Sequence, residues 1–292
     1  MTLFQGSGVA IITPFDESGV NTAVFAELIE RQIAGGTDAI IACGTTGEPS
    51  TMTEAEKVTA IKCAIETARG RVPVIIGTGG NNTAKVIADC KRAQEMGADG
   101  LLLVTPYYNK CTQDGLAAHY KAAAEAVDLP MILYNVPGRT GVNLLPSTVA
   151  KLEGVKNIAA VKEASGNIEQ ITELARLCPW VDIYSGNDDH VVPLLALGGK
   201  GVISVTANVA PKEMHEMCAA WFEGDLERAR ALQFKLNPLT KLLFSEVNPI
   251  PVKAAMGLMG YSVGTPRLPL TPMTEGNLER LAAEMKRQGY LA

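Results

Sequence analysis

Eight short apolar runs, each followed by a longer stretch, constrain this chain more than any other feature of its sequence. They are GVAIITP (8–14), AIIACGT (39–45), VPVIIGT (72–78), GLLLVTP (100–106), MILYNVP (131–137), IAAVKEA (158–164), VDIYSGN (181–187) and GVISVT (201–206). Their apolar residues are nearly continuous rather than alternating, which is the pattern of strands covered on both faces in a parallel sheet. Between them, TEAEKVTAIKCAIETARG (53–70) and TAKVIADCKRAQEMG (83–97) have helical spacing. In the second, Val86, Ile87, Cys90, Ala93 and Gln94 form one stripe, and Gly97 stops the helix. Eight β–α units in about 225 residues predict an α/β fold, a (β/α)8 TIM barrel. An open doubly wound sheet would ordinarily carry a glycine-rich nucleotide turn, and GTGGNN (77–82) lacks the G-x-G-x-x-G spacing. Beyond Gly224 only helical periodicity remains, expected to break at Pro238, Pro249, Pro251 and around Pro266 and Pro269. The expected division is a catalytic barrel over 1–224 and a helical domain of about three helices over 225–292.

Charge and composition narrow the function. A net charge of -5 and the lack of a dense Lys/Arg tract argue against a nucleic-acid partner. No apolar run approaches the ~20 residues of a membrane span, and no basic segment precedes the first apolar stretch. The six cysteines form no C-x-x-C pair and the three histidines lie far apart, so neither a disulfide scaffold nor a metal site is expected. The expectation is a cytoplasmic protein without cofactor or metal, its cysteines serving as small core residues.

In such a barrel, reacting groups sit at the C-terminal ends of the strands. Thr45 and Thr46 follow the second run, and Tyr107 and Tyr108 follow the fourth. Tyr134 lies on the fifth, Lys162 on the sixth, and Gly186 at the end of the seventh. A lysine ending an apolar strand ordinarily snorkels to solvent. If buried instead, its ammonium is disfavoured, and the free amine attacks a ketone to form a Schiff base. Tyr134, on a neighbouring strand about 4.8 Å away, would sit at a similar height. The tyrosine and threonine hydroxyls would then relay protons.

The loops allow two readings each. GTTGEPS (44–50) is either an ordinary turn or a cradle whose N–H and hydroxyl groups hold a carboxylate. Arg139 in YNVPGRTG (134–141) is either a solvated loop arginine or a bidentate clamp for a second carboxylate. LGGKGVISVT (197–206) reads as a feed into the last strand rather than a phosphate turn.

GTTGE (44–48), VTPYYNK (104–110), YNVPGRTG (134–141), VKEASGN (161–167), GVISVTAN (201–208) and NPIPVK (248–253) occur in this order. Together they resemble the dihydrodipicolinate synthase family, within the N-acetylneuraminate lyase and pyruvate-dependent class I aldolase superfamily, over essentially the whole chain. The resemblance implies condensation of pyruvate with L-aspartate 4-semialdehyde to 4-hydroxy-tetrahydrodipicolinate, the first committed step of the diaminopimelate route to lysine. It also implies a homotetramer built as a dimer of dimers. Carried over residue by residue, Lys162 would form the Schiff base with pyruvate, and Tyr134 would transfer protons over the imine. Thr45 and Tyr108 would complete the relay, Tyr108 reaching in from a neighbouring subunit. Thr45 and Thr46 would hold the pyruvate carboxylate, and Arg139 that of the semialdehyde. Gly186 and Ile203 would line the pocket near the lysine.

Lysine and tyrosine are shared across the superfamily. The arginine in GRTG and the PYYN pair separate this family from sugar-acid lyases. Another pyruvate-dependent aldolase and a non-catalytic barrel that binds a small acid remain the alternatives. One departure stands out. Enterobacterial and plant members carry a lysine feedback site that uses histidine or glutamate where this chain has Glu54, Lys57 and Lys85, with Asn81 and Tyr107 retained. Two ammonium groups there would repel a bound lysine, so weak or absent feedback is expected.

Overall fold

In the computed structural model, which describes residues 2–292, the eight apolar runs close into one parallel barrel. The strands are β1 (Gly6–Ala10), β4 (Ala39–Ala42), β5 (Val74–Gly77), β6 (Gly100–Val104), β7 (Met131–Asn135), β8 (Ile158–Glu163), β9 (Asp182–Ser185) and β10 (Gly201–Ser204). A small hairpin, β2 (Phe15–Asp16) with β3 (Gly19–Val20), lies between the first two and is absent from the sequence reading. Neighbours in the ring are neighbours in the chain, and β1 closes it by pairing with both β10 and β4.

The continuous apolar runs have a direct cause. Successive residues of one strand enter two different cores. Ile41, Ile75, Leu102, Ile132 and Ile203 fill the barrel, while Ile40, Ile76, Leu101, Leu103 and Val202 meet the surrounding helices. At the N-terminal end the barrel is plugged by Phe4, whose ring stacks on Tyr184 at 4.3 Å. The helices begin and end where side chains satisfy them. Thr53 and Glu56 make a reciprocal capping box on Glu54–Ala68, and Gly97, at φ +88°, turns the chain after Thr83–Glu95.

Most strands are shorter than their apolar runs, and two departures have a cause in the packing. The first strand starts at Gly6 rather than Gly8 and ends at Ala10, because the Asn208 side chain takes over the next backbone groups. Its Nδ2 donates to the Ala10 carbonyl and its Oδ1 accepts from Ile12 N–H, ending the ladder. Pro238 does not break a helix but lies inside Leu226–Leu243. The buried stripe Gln233, Leu236, Leu239, Thr240 and Leu243 carries that helix on past it. Lacking an N–H, Pro238 leaves the Phe234 carbonyl without its helical donor, and Phe234 is exposed, so water can serve it. Two more helices follow, Ile250–Leu258 and Glu275–Arg287. Leu239, Leu243, Val252, Met256 and Leu281 from these three join the same core as the outer face of the barrel. Among the described residues no helix is long and apolar enough to cross a membrane.

Candidate active site

The parallel register of β7 and β8 sets Tyr134 opposite Lys162. Because paired residues of parallel strands face the same way, both side chains enter the barrel. Lys162 is buried to 5% exposure, and its Nζ lies over the Tyr134 ring, 4.3 Å from the centroid. Burial pushes the Lys162 ammonium down from 10.5 to about 8; the Asp188 carboxylate pulls it partly back, and the Arg139 guanidinium lowers it further. At that value roughly a tenth of the amine is free at pH 7. Burial raises the Tyr134 phenol, against the Arg139 charge and a hydrogen bond with Thr45. The phenol therefore keeps its proton at neutral pH and is able to donate it.

The neighbouring backbone makes room for this pair. A Cβ at Gly186 would lie 2.5 Å from the Ala164 side chain and 3.1 Å from Lys162 Cε, so only glycine leaves the lysine its place. Ile203, 1% exposed, lies in the barrel interior on β10.

After β4 the chain makes a single tight turn over Thr45–Gly47. The left-handed residues that shape it are Cys43 (φ 55°) and Glu48 (φ 56°), rather than the glycines between them. Cys43 adopts its conformation because residue 77 is glycine: a Cβ there would stand 2.1 Å from the Cys43 carbonyl oxygen. Thr46 is buried, and its Oγ1 accepts a hydrogen bond from Asn248 Nδ2 at 3.0 Å. A hydroxyl that accepts in this way still has its own proton to donate. Arg139 rides on a one-turn helix, Pro137–Thr140, and its Nη2 donates to the Asn248 carbonyl at 3.0 Å.

Thr45, Tyr134, Arg139 and Tyr107 line one cavity of about 530 Å³ that opens outward past Asn81, Lys57 and Lys85. Lys162, Thr46, Gly186 and Ile203 are not on its wall. Tyr108 is separate from all of them. It is 89% exposed and held at φ +73° on the loop after β6.

The five positions read as a feedback site fall into two contact groups, Asn81 with Tyr107 and Glu54 with Lys57 and Lys85. Asn81 Nδ2 donates to the Tyr107 carbonyl at 3.1 Å. Glu54 accepts from Lys57 at 3.1 Å and from Lys85 at 3.0 Å, and it also pairs with Arg92. Lys85 reaches Asp89 as well, at 3.1 Å. Arg92 and Lys85 together hold the Glu54 carboxyl down at about 2.

Two residues that matter here were given no role by the sequence reading. Asp188 is buried two positions after Gly186, where it accepts from Val205 N–H, Thr206 N–H and Thr206 Oγ1. Its position in SGNDDH, just past a strand end, was the available signal. Asn248 was visible only as the first letter of NPIPVK.

A family model described as the Dihydrodipicolinate synthetase family matches residues 3–288. The 4-hydroxy-tetrahydrodipicolinate synthase of Thermoanaerobacter sp. (strain X514) is 56% identical over 293 residues, spanning 100% of this chain and 99% of its own. The crystal structure of dihydrodipicolinate synthase from Thermotoga maritima matches with TM-score 0.97 at 46% identity, over 99% of this chain and 100% of that one. The chloride-inhibited dihydrodipicolinate synthase from Acinetobacter baumannii, solved with pyruvate, matches with TM-score 0.96 at 47% identity, over 99% of this chain and 100% of that one. With a family match over nearly its whole length and a relative more than half identical, the chain belongs to the dihydrodipicolinate synthetase family.

Proposed function

We propose that the chain condenses pyruvate with L-aspartate 4-semialdehyde to give 4-hydroxy-tetrahydrodipicolinate, as the name of its relatives describes. The observation that carries the mechanism is a buried amine, shifted down to about 8, over the ring of a protonated phenol. Lys162 Nζ attacks the pyruvate ketone and water leaves, forming an imine. Loss of a methyl proton gives an enamine, whose carbon attacks the aldehyde. The amino group of the semialdehyde then displaces Lys162 from the imine carbon and closes the ring.

Tyr134 moves protons at the imine, with Thr45 next in the relay. Tyr108 completes the relay from a neighbouring subunit, which accords with its exposed, strained position on one chain. Thr45 and Thr46 hold the pyruvate carboxylate, supported by the free proton of Thr46 and the early N–H groups of the turn, which have no partner within it. Gly186 and Ile203 shape the space around the lysine. Residues 1–224 form the catalytic barrel and 225–292 the helical domain, assembled as a homotetramer in the cytoplasm.

The test is reduction with borohydride in the presence of pyruvate. It should add one reduced pyruvyl group, mapped to Lys162; an unchanged mass would refute the scheme. Arg139 selects the acceptor. Losing a hydrogen bond to a charged group costs about 1.5–3 kcal/mol. Arg139→Ala should therefore raise the KM for the semialdehyde by roughly 10- to 100-fold while leaving the pyruvate adduct intact, as steady-state assays with each substrate varied will report. L-Lysine should inhibit only weakly. Three cations face two carboxylates around Glu54, so an added ammonium meets net positive charge. The expected inhibition constant lies above about 1 mM, and a lower value would show that the ammonium is accepted.

A further inference from the structure

The glutamate that ends GTTGE and the lysine that ends NPIPVK take no part in the chemistry above, yet they form a buried ion pair. Glu48 and Lys253 are 205 positions apart and 3% and 1% exposed, and Lys253 Nζ donates to Glu48 Oε1 at 2.7 Å. The other carboxylate oxygen accepts the backbone N–H of Arg267 at 2.9 Å. The ammonium also lies over the Phe15 ring, 4.5 Å from its centroid, and donates to the Thr265 carbonyl.

A buried pair is a poor device for stability, because the cost of removing two charges from water offsets much of their attraction. Its position suggests another use. Glu48 is the left-handed residue that closes the Thr45–Gly47 turn. Lys253 stands in the helix Ile250–Leu258, directly after Asn248 and Pro249. Asn248 in turn touches both carboxylate-reading side chains, Thr46 through Nδ2 and Arg139 through its carbonyl. An amide N–H only donates, so Asn248 compels Thr46 Oγ1 to accept and leaves the hydroxyl proton pointing elsewhere.

We infer that Glu48 and Lys253 are positioning residues, a clamp that locks the Thr45–Gly47 turn to the helix Ile250–Leu258 so that Asn248 presents Thr46 as a donor to the substrate carboxylate. The inference rests on the assignment of Thr45 and Thr46 to pyruvate. The helical appendage thereby becomes part of the binding site rather than a cover for the barrel.

The test uses the full-length protein with Glu48→Gln and Lys253→Met combined, which removes both charges and strands neither. Adduct formation at saturating pyruvate and borohydride confirms that the variant is folded and Lys162 competent. The expected result is a pyruvate KM raised at least about tenfold, the scale of a lost hydrogen bond to a charged group. Asn248→Ala should raise it similarly in the wild-type background and add little in the double variant, because the clamp acts through Asn248. A purely structural pair would leave the KM of the folded protein unchanged and let the two effects add. A pyruvate KM within about twofold of wild type, in a protein that still forms the adduct, overturns the clamp. If the double variant does not fold, Asn248→Ala alone decides, since an unchanged pyruvate KM there also overturns it. Failure of the wild-type protein to form the adduct would instead sink the assignment of the reaction, so the two failures are distinct.

Discussion

Lys162→Met should abolish turnover and, at the same time, make the protein more stable. Without the amine there is no imine and no enamine. The loss should be on the order of 10⁴-fold or more, with no borohydride adduct at any pyruvate concentration. The gain in stability follows from the same burial. The ammonium falls from 10.5 to about 8 on folding. At 1.36 kcal/mol per pH unit, holding a charged lysine there costs the folded state about 3 kcal/mol. The unfolded chain binds the proton more tightly, so the cost is complete below about pH 8 and disappears as pH rises past 10.5. Urea unfolding of both proteins should therefore show Lys162→Met ahead by about 3 kcal/mol at pH 7, with the gap closing towards pH 10.5. In the wild type, kcat/KM for pyruvate should rise with pH through about 8 as the amine loses its proton. A variant less stable at neutral pH, or a gap that ignores pH, would mean that the lysine is charged and satisfied where it stands.

Tyr134→Phe should separate binding from proton transfer. The ring is 7% exposed and packs in the barrel interior, so phenylalanine keeps the surface that desolvates Lys162. What is lost is a proton held high by burial and a hydrogen bond with Thr45. A positioned general acid–base group contributes about 10²- to 10⁴-fold, and turnover should fall by that amount. The pyruvate adduct should still form, more slowly, at Lys162. Single-turnover trapping alongside steady-state rates will distinguish the two steps. Full activity in Tyr134→Phe would remove the phenol from the mechanism, and loss of the adduct altogether would give it a role in forming the imine.

Legibility followed the range of the interactions. The buried lysine and the tyrosine one strand away were readable, because strands adjacent in sequence here are adjacent in the ring and each residue sits at the end of its own apolar run. The first strand was extended four residues too far because its end is set by Asn208, nearly two hundred positions away. Pro238 was read as a break because local propensity counts the missing donor, whereas the packed stripe around it outweighs that loss. The turn after β4 drew attention to its glycines, yet its shape depends on Cys43, and so on the missing Cβ of Gly77.

The sequence by itself determined the barrel, its order of strands and the level of Tyr134 beside Lys162 on neighbouring strands. Those follow from hydrophobic period and from side chains whose height a strand dictates. Only the tertiary structure decided what those groups are chemically. The depressed ammonium of Lys162, the donor sense of Thr46 and the pairing of Glu48 with Lys253 each depend on desolvation and on partners distant in the chain. Burial and long-range hydrogen bonds are properties of a packed interior, and no local stretch of residues encodes them alone.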